Sequence, residues 1–457
     1  MSMQASKQHL PPELWLRIFE LATYVPGLLE TDIPDPFDMD PPSILHLHQE
    51  YDRKLFKYSM VTKRSIVLVC RTWYSLALPL LYQVLYIPSQ DSTGSFSSRF
   101  SEVVSSLLKR FTDSKHRLDP AGADDSRHRY VGLWPRRLEL HFSAYNPIED
   151  TDVQRLIELS ACLPNLEILA ASGPFTEPPS VVLETILACS GASLRKIFLP
   201  QCNLRQKDGV AILESCPRLR ALYVGYAQEG LSSSCPVDWM RAPELSFFTI
   251  GVCSPSMLCD TEHDVSSIPS LQQVCFSSHS YQPVLDTFTH FVAFQGEYLQ
   301  TIYLDTRQMM RNDLEGSIAL FTDHCPRLNH LILIMERWRN LPRSFTLPAS
   351  VTHLGLFAHF YHQDDAQVFE GLFRSLSDAP ALQAVRFLEP WGVSSLRKNH
   401  SDAVLSLLAS CTFRLEDCDG KALRLKDYGG EPDWDWELPW MPGSSRTSLS
   451  SAPCIIG

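Results

Sequence analysis

CPRLNHLILI at residues 325–334 and CPRLRALYVG at residues 216–225 are two copies of one sequence pattern. In each copy a leucine is followed by apolar residues three and five places later, as in Leu219, Leu222 and Val224. Alternation of this kind over a short run predicts a strand with one buried face. Because the pattern returns far along the chain, it predicts a repeated unit rather than one isolated strand.

The LxxLxL pattern recurs through most of the chain, with successive copies about 23 to 31 residues apart, close to the range of leucine-rich repeats. The copies begin at Leu166, Leu194, Leu219, Leu245, Leu271, Leu299, Leu328, Val351 and Leu382. Weaker copies lie at Leu138 and Leu140 and near Leu423 and Leu425. We expect the two weaker copies to be the capping units that close the ends of a repeat array.

Segments with helical periodicity separate the predicted strands. Examples are VQRLIELSACL at residues 153–163, GSIALFTDHC at residues 316–325 and AQVFEGLFRSL at residues 366–376. A strand followed by a covering helix, repeated, builds a curved parallel sheet with outer helices. The sequence therefore predicts an α/β fold whose main part is an irregular leucine-rich-repeat solenoid over residues 133–428.

The strand pattern also predicts which side chains line the concave face of the solenoid. Within each copy the first, fourth and sixth residues are buried, so the third, fifth and seventh face the other way. Together with aromatic residues of three late loops, the predicted target-binding residues are Phe198, Tyr223, Phe247, Tyr303, His330, His353, Arg386, Trp338, Tyr361 and Trp391. Aromatic residues beside charges are typical of binding hot spots. The loop aromatics have the alternative role of packing loop against loop.

The first 87 residues predict a small helical module. Residues 10–22, LPPELWLRIFELA, have apolar residues at helical spacing after a proline entry. Residues 62–87, TKRSIVLVCRTWYSLALPLLYQVLYI, predict one helix from Thr62 through Trp73 and a second that opens at Pro79. Such a module has more apolar surface than it can bury internally, so we expect an exposed stripe that binds a partner.

Three motifs of this module together resemble an F-box, in the form found in fungal proteins of mushroom type. They are Leu-Pro-x-Glu-Leu at the start, Val-Cys-Arg-x-Trp at residues 69–73 and Pro-Leu-Leu-Tyr at residues 79–82. The resemblance implies that an SKP-type adaptor protein binds here, and through it a cullin-RING ligase. The adaptor-binding residues would be Leu10, Pro11, Leu14, Ile18, Phe19, Val69, Cys70 and Trp73.

The remaining segments have distinct compositions. Residues 25–61 insert an acidic, proline-bearing stretch between the first two predicted helices, which we interpret as an exposed loop that could itself be a contact. Residues 88–132 predict a linker around one packing helix. Residues 429–457 hold a tryptophan-rich acidic cap and a serine-rich tail expected to be disordered.

Composition narrows the classes of partner and the compartment. A net charge of −12 over 457 residues argues against nucleic acid. Thirteen scattered cysteines predict reduced thiols, and no apolar run is long enough for a membrane helix, so we expect a protein of the cytoplasm or nucleus. Cys454 gives the C-terminus the outline of a prenylation box, but glycine is not a usual last residue there, and coincidence is the preferred interpretation.

No enzyme motif was found among the common metal, phosphate, dinucleotide and nucleophile patterns. Cys216 and Cys325 occupy the same repeat position, which favours buried thiols over nucleophiles. We therefore expect no catalytic residue, no metal and no cofactor. The predicted function is that of a non-catalytic substrate receptor of an SCF-type ubiquitin ligase for an unknown target protein. The alternative is a leucine-rich-repeat interaction scaffold without a ligase.

Overall fold

The structure, a computed structural model, describes residues 10–35, 37, 51–87, 97–116, 130–141, 149–172, 180–228, 243–250, 268–277, 285–306, 311–341, 346–360, 366–389, 396 and 402–423. In this part of the chain twelve strands form one sheet, and their order in the sheet is their order in the sequence. All neighbouring strands are parallel. This confirms the predicted α/β repeat solenoid.

The strands are short and evenly distributed. They are β1 (Val84–Ile87), β2 (Arg137–His141), β3 (Ile168–Ser172), β4 (Lys196–Arg205), β5 (Ala221–Gln228), β6 (Phe247–Ile250), β7 (Gln273–Ser277), β8 (Thr301–Asp305), β9 (His330–Arg337), β10 (His353–Phe360), β11 (Ala384–Phe387) and β12 (Arg414–Glu416). Nine of them, β3 to β11, begin two residues after the start of an LxxLxL copy. The first leucine of each copy, such as Leu166 or Leu328, is fully buried because it lies in the main core.

Helices cover the convex side of the sheet. They are α4 (Ser97–His116), α5 (Asp150–Ser160), α6 (Ser180–Ser190), α7 (Gln206–Ser215), α8 (Leu285–Gln295), α9 (Arg311–His324), α10 (Ala366–Ser377) and α11 (Asp402–Ser410). Consecutive helices pack on one another, for example α4 on α5 and α10 on α11. Their apolar faces and the convex side of the sheet form one continuous core. The described part of residues 229–284, which is residues 243–250 and 268–277, holds β6 and β7 and no covering helix.

The N-terminal module consists of α1 (Pro12–Ala22), α2 (Arg53–Val67) and α3 (Arg71–Tyr82). Its second helix differs from the prediction at both ends. It begins at Arg53 because the Asp52 side chain caps it, accepting hydrogen bonds from the amides of Lys54 and Leu55 at 2.7 and 3.3 Å. Residues 53–61 are therefore helical rather than part of an exposed loop.

The break between α2 and α3 falls at Cys70. This residue is extended, and its sulfur accepts a hydrogen bond from the Trp73 amide at 3.5 Å, which caps α3. The prediction of one helix from Thr62 through Trp73 was therefore wrong. Pro79 lies inside α3 instead of opening a new helix.

The solenoid starts at an earlier residue than predicted. β1 pairs with β2 from Val84 to Ile87, so the end of the N-terminal module is already the first strand of the sheet. The helix of the supposed linker, α4, packs against β1 and α5 as the first covering helix. At the other end β12 is the last described strand. Leu423 follows β12 in an antiparallel turn, and Leu425, the other residue of the expected terminal copy, lies outside the described residues.

Lys63 is an unusual residue in the core of the module. Its side chain lies on α2 and is only 3% exposed. Burial lowers the pKa of the amine to about 8. The amine is therefore still mostly protonated at pH 7, but its charged form is less stable in the folded protein than in the unfolded chain.

Lys63→Met is expected to raise the free energy of unfolding at pH 7 by about 1–3 kcal/mol, because no charged amine is then buried. The gain should shrink as the pH rises from about 8 towards 10.5, since the folded wild type then also holds a neutral amine. Urea unfolding at pH 7 and pH 10 measures both values. Lys57→Met, on the exposed side of the same helix, is the control. An equal gain at both pH values would contradict the assignment.

Candidate docking surfaces

The two sides of the sheet carry different side chains. On β9, Leu331, Leu333 and Met335 enter the main core, whereas Ile332 and Ile334 belong to a second cluster on the concave side. Strand register aligns equivalent residues in rows that run across the sheet. The concave cluster consists of Ile33, Ala170, Phe198, Ala221, Tyr223, Phe247, Cys275, Tyr303, Ile332, Ile334 and Leu388, with Phe37 and Phe357 packed against it.

Two members of that cluster, Ile33 and Phe37, come from the insertion after α1 and not from the solenoid. Residues 28–35 and Phe37, named here the insert segment, lie across the concave face. The segment contacts strands from β2 to β11, so its backbone is extended, because each residue advances the chain by at most about 3.5 Å. The insertion predicted as an exposed loop therefore fills the surface predicted to bind a target.

Basic side chains of the solenoid hold the first half of the insert segment. Arg137 on β2 donates to the carbonyl of Leu28 at 3.2 Å, and Lys196 on β4 donates to the carbonyl of Glu30 at 3.4 Å. Arg220, just before β5, pairs with the Asp32 carboxylate at 3.5 Å. Cationic side chains therefore contact both the backbone carbonyl groups and the Asp32 carboxylate of the segment.

Asp35 is the most deeply held acid of the segment. It accepts a hydrogen bond from the Thr301 hydroxyl, and Nδ1 of His330 lies 2.8 Å from its Oδ2. Burial alone would raise the pKa of the Asp35 carboxyl. The hydrogen bond and charge of His330, together with the bonds from Thr301 and the Phe37 amide, lower it by more than burial raises it, so the pKa lies below its usual value. Asp35 therefore stays ionised while it is buried in the face.

Phe37 ends the described segment over three strands. Its ring centroid lies 5.0 Å from those of His330 and His353, and the Arg386 guanidinium lies 4.9 Å from the ring centre. The Arg386 guanidinium therefore makes a cation–π contact with Phe37, and the two imidazole rings pack against the same phenyl ring. Burial and the neighbouring positive charge of His330 lower the pKa of His353. A neutral His353 suits contact with an aromatic ring.

Residues at the two ends of the insertion meet at the same place on β2. Leu28 is bound to Arg137, and the hydroxyl of Tyr51, which closes the insertion, donates to Glu139 at 2.7 Å. Arg137 and Glu139 pair at 3.0 Å, both nearly buried, and His141 lies 3.1 Å from the same carboxylate. Burial raises the pKa of Glu139, but His141, Arg137 and Tyr51 together lower it to about 2. This network fixes the base of the insertion.

Several predicted target-binding residues lie where the sequence placed them but are covered. Phe198, Tyr223, Phe247 and Tyr303 belong to the concave cluster and are buried. His330, His353 and Arg386 contact the insert segment directly. The concave position of these seven residues is confirmed. The expectation that they form an open surface is wrong in this conformation, because the chain itself occupies it.

Of the three predicted loop aromatics, Trp338, Tyr361 and Trp391, the structure describes only Trp338. Trp338 is 1% exposed and lies in the main core, so its assignment to a binding edge was wrong. Its ring packs against those of Phe369 and Phe387. Tyr361 and Trp391 lie outside the described residues. The packing alternative, raised for all three loops, is therefore the one that holds for Trp338.

The insert segment was not predicted as an occupant of the face, although one signal was available. Leu28, Ile33 and Phe37 are apolar residues separated by acids, a pattern that a solvated loop has no need of. The rest of the insertion's composition, with its prolines and aspartates, favoured the solvated interpretation.

A second surface is formed by apolar side chains on the N-terminal module. Leu10, Leu14, Ile18 and Leu21 recur at helical spacing along α1 and are all exposed, Leu14 by 50%. Leu68, in the turn before α3, is 83% exposed, and Val69 is exposed beside it. This set is named here the apolar patch.

The predicted adaptor-binding residues divide into two groups. Leu10, Pro11, Leu14, Ile18, Val69 and Cys70 are exposed, as a docking role requires. Phe19 is 2% exposed and Trp73 is half-buried, and their ring centroids lie 4.9 Å apart in the module's own core with Trp15. Phe19 is therefore a core residue of the module and not a free surface, whereas Trp73 packs on that core and keeps part of its surface exposed, so its role in adaptor binding stays a prediction.

Buried thiols occur at the repeat junctions. Cys216 and Cys325 are enclosed in the main core, and burial raises the pKa of each thiol to about 12. Both are held protonated at neutral pH, in agreement with the interpretation as packing residues. Within the described ranges, no group of three or more His, Cys, Asp or Glu side chains is placed to hold a metal. None of the described helices has the length and apolar character needed to cross a membrane.

Comparisons with known proteins found similar solved structures, two of which are leucine-rich-repeat proteins. No protein-family model matches the chain. No curated protein matches it either. Among solved structures it is similar to the leucine-rich-repeat-containing protein LegL7 from Legionella pneumophila, with 13% identity over 76% of this chain and 96% of that one, at a TM-score of 0.35. A leucine-rich-repeat protein of Leptospira interrogans is 10% identical over 73% of this chain and all of that one, at a TM-score of 0.22. The repeat assignment made here rests on the chain's own strand order and register.

Proposed function

We propose that this protein is the substrate receptor of an SCF-type ubiquitin ligase. The F-box-like helices bind an SKP-type adaptor, and the solenoid binds a target protein. The chain itself performs no chemistry in this proposal. It contributes proximity, because a bound target is held at a high effective concentration near the ubiquitin-transferring subunits.

The observation that carries the proposal is the apolar patch. Trp15, Phe19, Trp73, Ala77 and Leu80 already give the three helices a core of their own. The leucines and isoleucine on the outer side of α1 remain exposed after that core is made. An apolar surface of this kind on a folded module is typical of a protein-binding site. Four of its residues, Leu10, Leu14, Ile18 and Val69, are among those that the F-box resemblance assigns to the adaptor.

Leu14→Asp and Ile18→Asp are each expected to weaken adaptor binding at least about tenfold, because a charge is placed in the middle of an apolar contact. Titration of the purified full chain with a fungal SKP-type adaptor, followed by calorimetry, measures the affinity. Both residues are exposed, so the variants should keep the thermal stability of the wild type.

Val181→Asp is the matched control. Val181 is 53% exposed, like Leu14, but lies on α6 of the solenoid. Its substitution should leave adaptor affinity unchanged. Equal affinities for wild type, Leu14→Asp and Val181→Asp would remove the apolar patch from the proposal.

The second candidate function is an interaction scaffold that has no ligase. It shares the solenoid and the covered concave face with the first. The apolar patch separates the two functions, because a scaffold has no need for an exposed stripe on the N-terminal module. A wild-type chain that binds no SKP-type adaptor in the titration above would favour the scaffold.

A further inference from the structure

We propose that the concave face recognises an extended acidic peptide of the target, and that the insert segment is an internal copy of that peptide, which the target displaces. The inference deepens the proposed function by naming the partner class of the solenoid, and it rests on that function for the identity of the target as a protein. The contacts that define the concave surface are all made within this chain.

The first step of the argument is charge. The insert segment carries Glu30, Asp32 and Asp35, and two of its acids are paired with Arg220 and His330. On the strands, the row in register with Arg137 also holds Lys196, His330 and His353 and no acid among its described residues, although Arg137 is itself paired with Glu139 two residues further along β2. The positive charge of this row favours binding of an acidic peptide and disfavours binding of a basic peptide.

The second step is that the face reads a backbone as well as side chains. Arg137 and Lys196 donate to carbonyl groups, which every peptide offers at a regular interval. Ile33 fills the aromatic part of the concave cluster two residues before Asp35, and Phe37 follows two residues after it. The recognised sequence is therefore apolar, any residue, acidic, any residue, aromatic, in an extended conformation.

The third step is competition. A segment tethered next to its own site has an effective concentration of roughly millimolar, so it excludes weak ligands and admits those that bind more tightly. The apparent affinity of an external peptide falls in proportion to the fraction of molecules in which the face is open. The insertion thereby sets a threshold for target binding. If the segment were instead a permanent part of the core, no external peptide would gain access.

The experiment uses a labelled peptide with the sequence of residues 28–38, LLETDIPDPFD, titrated into the full chain and followed by fluorescence anisotropy. Asp35→Ala with Phe37→Ala removes two anchors of the segment and changes no solenoid residue. This release variant should bind the peptide at least about tenfold more tightly than the wild type does. Binding should be lost when Asp32 and Asp35 of the peptide are replaced by asparagine.

Glu30→Gln is the matched control within the segment, because the Glu30 side chain accepts from the Tyr24 hydroxyl at 2.8 Å instead of contacting the solenoid. It should bind the peptide as weakly as the wild type. A folded release variant that does not bind the peptide, or binds the asparagine peptide equally well, overturns the inference. Adaptor binding is measured on the same samples. Loss of peptide binding with intact adaptor binding refutes the inference alone, and the reverse result refutes the proposed function alone.

Hydrogen exchange on the wild type keeps the inference testable if the release variant fails to fold. The amides of Leu28 and Phe37, which are hydrogen-bonded to Val25 and Asp35, should exchange faster than those of β8 and β9, as expected for a segment that opens on its own. Exchange of these amides only together with the strands would show that the segment is a fixed part of the core, and would overturn the inference.

Discussion

Trp338→Ala is expected to lower the free energy of unfolding by about 3–5 kcal/mol, the range for removing a fully buried aromatic side chain. The indole is 1% exposed. Its centroid lies 5.2 Å from the ring of Phe369 on α10 and 5.5 Å from that of Phe387 on β11. Truncation leaves a cavity where sheet, helix and loop meet. Denaturant unfolding followed by circular dichroism measures the loss.

Trp338→Phe is the matched comparison. It keeps an aromatic ring in the same space, so the loss should be clearly smaller than for alanine. If Trp338 were a binding residue, as its loop position suggested, both variants would keep their stability and lose target affinity. That outcome would contradict the core assignment.

The repeat architecture was predictable because the LxxLxL pattern reports local burial. The leucine at the start of a copy and the two apolar residues after it enter the convex core, so each copy marks a strand without reference to any other. β1 was missed although the spacing of the pattern is present. Tyr82, Leu85 and Ile87 lie in the main core, but Tyr82 stands in place of the first leucine and is also the last residue of α3. What identifies β1 as a strand is its pairing with β2, about fifty residues later.

The state of the concave face could not be predicted in this way. The contact of Leu28 with Arg137 spans 109 residues, and that of Asp35 with His330 spans 295. Residues at such separations leave no periodic signal in the sequence. Alternation within a strand shows that a side chain such as Tyr303 points away from the core. It does not show whether solvent or another segment meets that side chain.

The N-terminal module shows the same limit at a smaller scale. Helical periodicity put Leu14 and Ile18 on one face of α1, and both are exposed. Periodicity alone could not separate Phe19 from them, since Phe19 follows Ile18 directly and is also apolar. Only the packing of Trp15 and Trp73 around Phe19 shows which side of the helix is the core.

Glu139 contributes stability because it is more acidic in the folded protein than in the unfolded one. Its pKa is lowered from 4.5 to about 2. The stabilisation is therefore complete above about pH 5 and is lost as the pH falls through the folded value. A shift of this size corresponds to about 3 kcal/mol. Asp35 shifts in the same direction, so a variant is needed to isolate the part due to Glu139.

Glu139→Gln is expected to lower the free energy of unfolding at pH 7 by about 3–5 kcal/mol, because Arg137 is left buried without its carboxylate partner. The variant should also lose part of the wild type's decline in stability between pH 5 and pH 2, so the two curves converge as the pH falls. Urea unfolding across that range measures both effects, and Glu158→Gln, at an exposed position on the covering helix α5, should run parallel to the wild type. Parallel curves for Glu139→Gln and wild type would show that the carboxylate at the base of the insertion contributes nothing to the acid sensitivity of the fold. Convergence would mean that the ion pair at the base of the insertion makes the stability of the whole fold dependent on pH.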